Sequence, residues 1–246
     1  MQTHSIDINA DVGEGLQNEH ELLPLVSSCN IACGGHAGNE TIMREVIQIA
    51  KSNNVKIGAH PSYPDRENFG RKVVEMSCAA LYSTVKSQIQ TMMAIMREEH
   101  LQLHHVKCHG ALYNSSAKDN RTAEVVLEVM KSIKQPLKLY VPFGSVIAEK
   151  AISERIPITY EAFADRNYNE DLSLVSRDLP LAMIQDVDEL IEHAYRMIVH
   201  KKVKTINGVE VPIKAQTICI HGDNPKAINM LKSLTQFLTK KGIIIH

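Results

Sequence analysis

The sequence predicts an α/β chain folded as a distorted seven-stranded parallel (β/α) barrel, and three observations lead there. β-branched runs alternate with helical patterns along all 246 residues, the order produced by parallel strands with helical crossovers. Seven of these runs finish in a polar cluster, the way a barrel or parallel sheet collects chemistry at one rim. Nucleotide-binding fingerprints are missing: Gly13-Glu-Gly15 lacks a third glycine at dinucleotide spacing, and no GxxxxGK[ST] loop occurs. An open doubly wound sheet is the alternative. The length and a 44% hydrophobic content suit one barrel-sized domain over residues 1–246.

The first strand is expected at residues 5–9, where Ile6 and Ile8 share one face and Asp7 and Asn9 the other. A turn is expected at Gly13, and the structural role open to Asp11 is to stabilise it. A second strand at 27–32 puts Asn30 in phase with His36, and Asn39 is placed to cap a helix over 39–52. The third strand, 55–60, sets Gly58 and His60 together. A helix over 77–99 carries Leu81, Val85, Ile89, Met92, Met93 and Met96 at three and four residue spacing, an inward stripe that fills core. In the fourth strand, 103–109, His105, Lys107 and His109 alternate with Val106 and Cys108. A helix over 122–134, a strand at 137–141 and a helix over 146–153 come next. The sixth strand, 156–161, ends in Glu161-Ala-Phe-Ala-Asp-Arg166. Residues 164–185 form a long charged loop, of the kind that walls a site or makes a subunit contact. A helix over 187–201 leads to residues 204–215, where Asn207-Gly208 signals a hairpin. The last strand, 216–221, brings Cys219 and His221 into phase, and Asp223-Asn-Pro225 opens a final helix over 225–241, with Asp223 or Asn224 as its cap.

Composition removes several function classes. A net charge of −1 leaves no basic stripe for nucleic acid and no polybasic patch for lipid. Five cysteines without CxxC spacing, four of them inside apolar runs, are expected as buried reduced thiols of a cytoplasmic protein. No apolar run is long enough to span a bilayer, and the first residues lack signal-peptide character. Aromatic content is only 4% with no Trp, which disfavours sugar stacking.

What remains is a pocket of carboxylates, imidazoles, one lysine and one arginine. Taken singly, a His or Asp at a strand end is more often a satisfied polar group than a catalyst. Lys107 is the exception, since a lysine between Val106 and Cys108 loses heavily on burial unless it meets a carboxylate or an anionic ligand. Water-mediated acid/base hydrolysis of an amide or ester suits this set better than covalent catalysis, because no GxSxG elbow is present and Cys108 points away from His109. A zinc-type site is the competing chemistry, although neither HxH nor HExxH occurs and the metal, if any, is unassigned.

Six blocks together resemble one family: Asp7-x-Asn-x-Asp-x-Gly-Glu14, Asn30-Ile-Ala-Cys-Gly-x-His-Ala-Gly38, Gly58-Ala-His-Pro-Ser-Tyr-Pro-Asp65, Val106-Lys-x-His-Gly-Ala-Leu-Tyr-Asn114, Glu161-x-Phe-Ala-Asp-Arg-x-Tyr168 and His221-Gly-Asp223. In order and over nearly the whole chain, they are similar to the LamB/YcsF family. The resemblance implies a barrel similar to those of glycoside hydrolases and polysaccharide deacetylases. It also implies opening of the 5-oxoproline (pyroglutamate) lactam to L-glutamate coupled to ATP hydrolysis, Mg2+ accompanying the ATP, with 5-oxoprolinase subunits B and C as partners. Departures are Gly35 for Phe, Asn39 for Asp, Cys108 for Pro and Leu181 for Gly; the first is expected to enlarge the pocket.

A five-membered lactam is a stable amide, and phosphorylation of its oxygen would make it an electrophile that water can attack. The expected roles are an anion site at Lys107 or Arg166, proton transfer by His60 and His109, and orientation of these groups and of Mg2+ by Asp7, Asp11 and Glu161. Asn9, Asn30, His36, Arg166 and His221 are expected to bind substrate. Two other readings are a stand-alone metal-dependent carbohydrate or amide deacetylase and a non-catalytic subunit that binds a small acid.

Overall fold

In the computed structural model, which describes residues 4–222, 224 and 226–246, the parallel strands form a closed ring. Strand β1 (Ser5–Val12) leads through a short helix α1 (Glu19–Leu22) and a 3-10 turn to β2 (Ser28–Ala32), then α2 (Glu40–Ser52), β3 (Lys56–His60), α3 (Cys78–Glu98) and β4 (His105–Val106). Helices α4 (Gly110–Lys118) and α5 (Asn120–Ser132), strand β5 (Lys138–Pro142), α6 (Val146–Ser153) and β6 (Ile158–Phe163) follow. After the long loop come α7 (Val187–Tyr195), which runs on into a π turn, the hairpin β7 (Lys202–Lys204) and β8 (Glu210–Pro212), then β9 (Thr217–Cys219), α8 (Ala227–Lys240) and β10 (Ile244–Ile245).

The sheet order is β10-β1-β2-β3-β4-β5-β6-β9, and β9 also pairs with β1, so seven strands close a barrel and β10 adds to β1 from outside. Side-chain alternation then separates two cores. Ile6, Ile8, Ile31, Ile57 and Val106 pack outward under the helices, whereas Asp7, Asn9, Asp11, Asn30, His60 and Lys107 are buried on the barrel side. The stripe on α3 is buried as the spacing predicts, Leu81, Val85, Ile89, Met92 and Met96 all lying in the outer core; Met93 is half-buried and packs against it.

Polar caps fix the helix starts. Asn39 accepts a bond from the Ile42 N–H at 3.0 Å, so the cap survives the departure at that position. Asp119, Ser145 and Asp186 do the same for α5, α6 and α7. At the last helix, Asn224 Oδ1 accepts the Lys226 N–H at 2.9 Å, while Asp223 and Pro225 lie outside the described residues.

Differences from the sequence expectation are local. The fourth strand shrinks to His105–Val106, and α4 begins at Gly110, a helix the pattern did not predict. Its first turn is anchored by tertiary packing of Ala111, Leu112 and Tyr113, all buried, rather than by propensity. Leu181 stands at φ +62° in the long loop, left-handed backbone that favours glycine, with its side chain 73% exposed.

Candidate active site

The carboxyl ends of the strands open on a cavity of about 390 Å³ lined by Asp11, Glu14, His60, Lys107, His109, Arg166 and His221 among others. Loop residues Leu174, Val175, Ser176 and Arg177 form its far wall, which settles the long loop as a wall of this cavity. The hairpin lines a separate hollow with Asn167 and Glu189.

Lys107 sits at the centre of the barrel. Its Nζ lies 2.9 Å from both Asp11 Oδ1 and Glu161 Oε1, 3.3 Å from Asn9 Oδ1 and 3.1 Å from Cys219 Sγ. Burial alone would lower the ammonium, but Asp11, Cys219 and Glu161 hold it well above the usual lysine range. Burial would likewise raise Asp11, and the neighbouring His60 and the Lys107 ammonium keep it well below the carboxylate range. The expected anion-binding role of Lys107 is therefore corrected: its donors already face two buried carboxylates, so it fixes their charge and direction.

Around this pair runs an ordered amide layer. Asn9 Nδ2 donates to Glu161 Oε1 at 2.9 Å and to Thr217 Oγ1 at 2.7 Å; Asn30 Nδ2 donates to Asn9 Oδ1 and Asp11 Oδ1, both at 2.8 Å. His105 Nε2 donates to Asn30 Oδ1 at 2.7 Å, and its ring stacks on Tyr140 at 3.9 Å. Gly58 makes room for that ring, since a Cβ there would fall 2.1 Å from His105 Nε2. Asn9 and Asn30 thus orient the carboxylates from below; neither lines the cavity.

Above the lysine lies an imidazole cluster. His36 and His109 stack at 3.6 Å with an interplanar angle of 2°, and His60 meets both edge-on. Glu14 Oε1 is 2.9 Å from His36 Nε2 and 3.4 Å from His109 Nδ1. Burial and the neighbouring His60 push His36 down to about 2, and burial with His36 and His60 holds His109 well below the histidine range. Both rings are neutral bases or acceptors at neutral pH. Gly70, at φ +63°, lets the loop close over the stack, because a Cβ there would lie 2.9 Å from His36 Cβ and 3.0 Å from His109 Cδ2.

Other expected residues stand elsewhere or do further work. Asp7 lies four residues before Asp11 on β1, about 13 Å along the strand. There it accepts bonds from Ser28 Oγ and Thr217 Oγ1, both at 2.6 Å, with Lys56 Nζ at 3.4 Å. Burial pushes that carboxyl up, and it belongs to the amino-end plug of the barrel rather than to the cavity. Arg166 does line the cavity, but its guanidinium also donates to the Ala182 and Val175 carbonyls, bracing the loop, and burial followed by Arg177 lowers it to about 10. His221 Nδ1 lies 2.9 Å from Asp165 Oδ2 and its ring stacks on Phe163 at 5.2 Å. Asp165 thereby sets the tautomer, leaving Nε2 as the nitrogen available to the cavity.

The sequence reading missed Glu14, Arg71, Lys72 and Arg177, all at the cavity wall. Glu14 could have been found as the last residue of the first motif; the three cations lie in irregular segments where parity gives no direction. Nor does Gly35 enlarge the pocket: a Cβ there would fall 2.4 Å from Ser62 Oγ and 2.5 Å from Gln88 Oε1, so Gln88, bonded to Ser62, occupies the space. A second, more apolar hollow of about 650 Å³ adjoins the first, sharing Arg71, Tyr113, Phe163 and neighbouring groups with it and reaching Glu161.

Chemically, this is a cavity with fixed carboxylates, neutral imidazoles and a cationic rim, able to move protons beside a bound anion. Cys33 and Cys108 are pushed up to about 12 by burial, which makes them poor nucleophiles. Among the described residues no helix is long and apolar enough to cross a membrane.

The model of the LamB/YcsF family matches residues 6–246. A protein of Haemophilus influenzae (strain PittEE), named as the A subunit of 5-oxoprolinase, is 42% identical over 240 residues, covering 98% of each chain. One of the same name from Pyrococcus abyssi is 38% identical over 243 residues, 97% of this chain and 95% of that one. The crystal structure of a lactam utilization protein from Thermus thermophilus superposes with a TM-score of 0.92 at 36% identity, covering 98% of this chain and 99% of that one. A family 4 carbohydrate esterase from Streptomyces lividans shares the fold alone, at TM-score 0.51 and 9% identity over 98% and 91%.

Proposed function

Because the chain belongs to the LamB/YcsF family, we propose that it opens the lactam of 5-oxoproline to L-glutamate as the A subunit of an ATP-dependent 5-oxoprolinase, working with subunits B and C. The names of relatives at 42% and 38% identity support the substrate. The observation that carries the reading is the cavity itself: neutral imidazoles and paired carboxylates at the floor, with Arg71, Lys72, Arg166 and Arg177 at the wall.

5-Oxoproline carries a carboxylate beside a ring amide. The arginine side of the cavity suits the carboxylate and, in the activated state, a phosphoryl group on the lactam oxygen. ATP, with Mg2+, would supply that group. Phosphoryl transfer from ATP to the lactam oxygen would release ADP and make the carbonyl carbon electrophilic. Water adds, the C–N bond breaks with the ring nitrogen taking a proton, and the acyl phosphate so formed is hydrolysed by a second water to L-glutamate and inorganic phosphate. His60 and His109 are placed to take the proton from water and return it to nitrogen, general acid/base work worth about 10²–10⁴ in rate. Asp11 and Glu161, held by Lys107, keep that region negative and fixed. The chain has no Walker loop, so partner subunits fit the role of completing the nucleotide site.

The test is glutamate formation from 5-oxoproline and ATP, measured for the chain alone, for B and C alone, and for all three. The proposal expects turnover only with all three and ADP in step with glutamate. Turnover of acetylated sugars by the chain alone, without ATP, would favour a deacetylase; tight 5-oxoproline binding with full turnover after His60→Gln and His109→Gln would favour a non-catalytic binding subunit.

A further inference from the structure

Two histidines of the cluster face each other through one ring nitrogen each, while their opposite nitrogens are both held by backbone carbonyls. His60 Nδ1 lies 2.7 Å from the Lys107 carbonyl and His109 Nε2 lies 2.9 Å from the Phe69 carbonyl. A carbonyl only accepts, so each of those nitrogens is the N–H. In neutral rings the opposite nitrogens are bare lone pairs, yet His60 Nε2 and His109 Nδ1 stand 2.9 Å apart. Their other neighbours are acceptors too: Asp11 Oδ2 is 3.4 Å from His60 Nε2, and Glu14 Oε1 is 3.4 Å from His109 Nδ1 and 4.0 Å from His60 Nε2. Converging lone pairs in a buried space repel unless a cation sits among them.

We propose that Glu14, His36, His60 and His109 bind one divalent transition-metal ion of zinc's class. Each offers one ligand atom, and all of these atoms lie within 4.8 Å of one another. Tetrahedral coordination at 2.0–2.1 Å sets ligand atoms about 3.4 Å apart. The contacts of 2.9 Å between His36 and Glu14, 2.9 Å between His60 and His109, 3.4 Å and 4.0 Å straddle that edge. Three imidazoles with one carboxylate suit Zn2+ or Co2+; Mg2+ and Ca2+ prefer oxygen donors. The Lys107 and Phe69 carbonyls act as the outer supports that fix a ligating imidazole's tautomer. With the ion bound, the free nitrogens of His60 and His109 are its ligands, so a metal-bound water would take over the base role given to those rings above. That catalytic use rests on the function proposed above, and the binding itself does not.

The experiment uses the full chain prepared without a histidine tag. After chelation and dialysis it is titrated with Co2+ and with Zn2+, reading metal content, the visible Co2+ spectrum and the thermal midpoint, with Mg2+ as control. The proposal expects about one ion per chain, a tetrahedral Co2+ spectrum displaced by Zn2+, and a higher midpoint with Zn2+ but not Mg2+. His60→Gln/His109→Gln should weaken binding at least about 100-fold, and Glu14→Gln, at a less enclosed position, at least about tenfold. Wild-type chain that takes up no stoichiometric Zn2+ or Co2+ would overturn the proposal, leaving a proton as the cation between the rings; so would unchanged affinity in Glu14→Gln. Stoichiometric metal in a chain that opens no lactam would uphold the site and sink the functional reading instead.

Discussion

Replacing Lys107 by Met removes the ammonium that lies within 3 Å of both Asp11 and Glu161 while keeping most of the side-chain volume. Side-chain exposures of 2%, 5% and 0% for Lys107, Asp11 and Glu161 leave no solvent to compensate. Breaking a buried pair from one side costs about 3–5 kcal/mol, because the remaining charge stays unpaired. The pH dependence carries a second signature. Asp11 is held below its ordinary value in the folded protein, so it contributes stability above about pH 4 that is lost as pH falls through the folded value. Without Lys107, burial, already the largest influence on Asp11, drives that carboxyl upward. The Lys107→Met chain should then lose less stability than wild type between about pH 7 and 4. Urea unfolding followed by far-UV circular dichroism at both pH values measures this. Adding Glu161→Gln should recover about 1–2 kcal/mol of the loss, since fewer buried charges remain unpaired. A Lys107→Met penalty below about 1 kcal/mol at neutral pH, or no recovery in the double variant, would refute the assignment of Lys107 as the clamp between two carboxylates.

Three further outcomes are expected. Gly58→Ala should destabilise by about 1–3 kcal/mol in urea unfolding, because the new Cβ meets a His105 ring that is locked by Tyr140 and Asn30. Asp165→Asn should cost about 1–3 kcal/mol at neutral pH through the bonds to the His221 N–H and imidazole. The Asp165 carboxyl is held low in the folded state, so this deficit should shrink as pH falls below about 4. A constant deficit across that range would contradict the pairing. Thiol titration of the native chain should label Cys78 alone, with Cys29, Cys33, Cys108 and Cys219 reacting only after denaturation, since those four are buried.

Much of the barrel was legible because strand parity is a local property. His105, Lys107 and His109 alternating with Val106 and Cys108 revealed the inner face directly, and Lys107 needed the carboxylates that it meets. Parity assigns a face but not a depth, which is why Asp7 was grouped with residues about 13 Å further up the barrel. It also stops at the strand end, so Glu14, beyond Gly13, was left unselected although it touches His36 and His109. Helix α4 escaped notice because Gly110, Asn114, Ser115 and Ser116 are poor helix formers; buried Leu112 and Tyr113 supply what propensity lacks. Arg71 and Arg177 reach the cavity wall from irregular segments, and only tertiary structure brings those segments together.

The central claim is that the imidazole and carboxylate cluster at the barrel's carboxyl rim is where the lactam opens. It is tested most directly by glutamate release in the complex with subunits B and C, comparing wild type with His109→Gln, whose ring lies at the cavity wall. With assembly and thermal stability unchanged, the account predicts a fall in kcat of about 100-fold or more. Turnover within about twofold of wild type would contradict it.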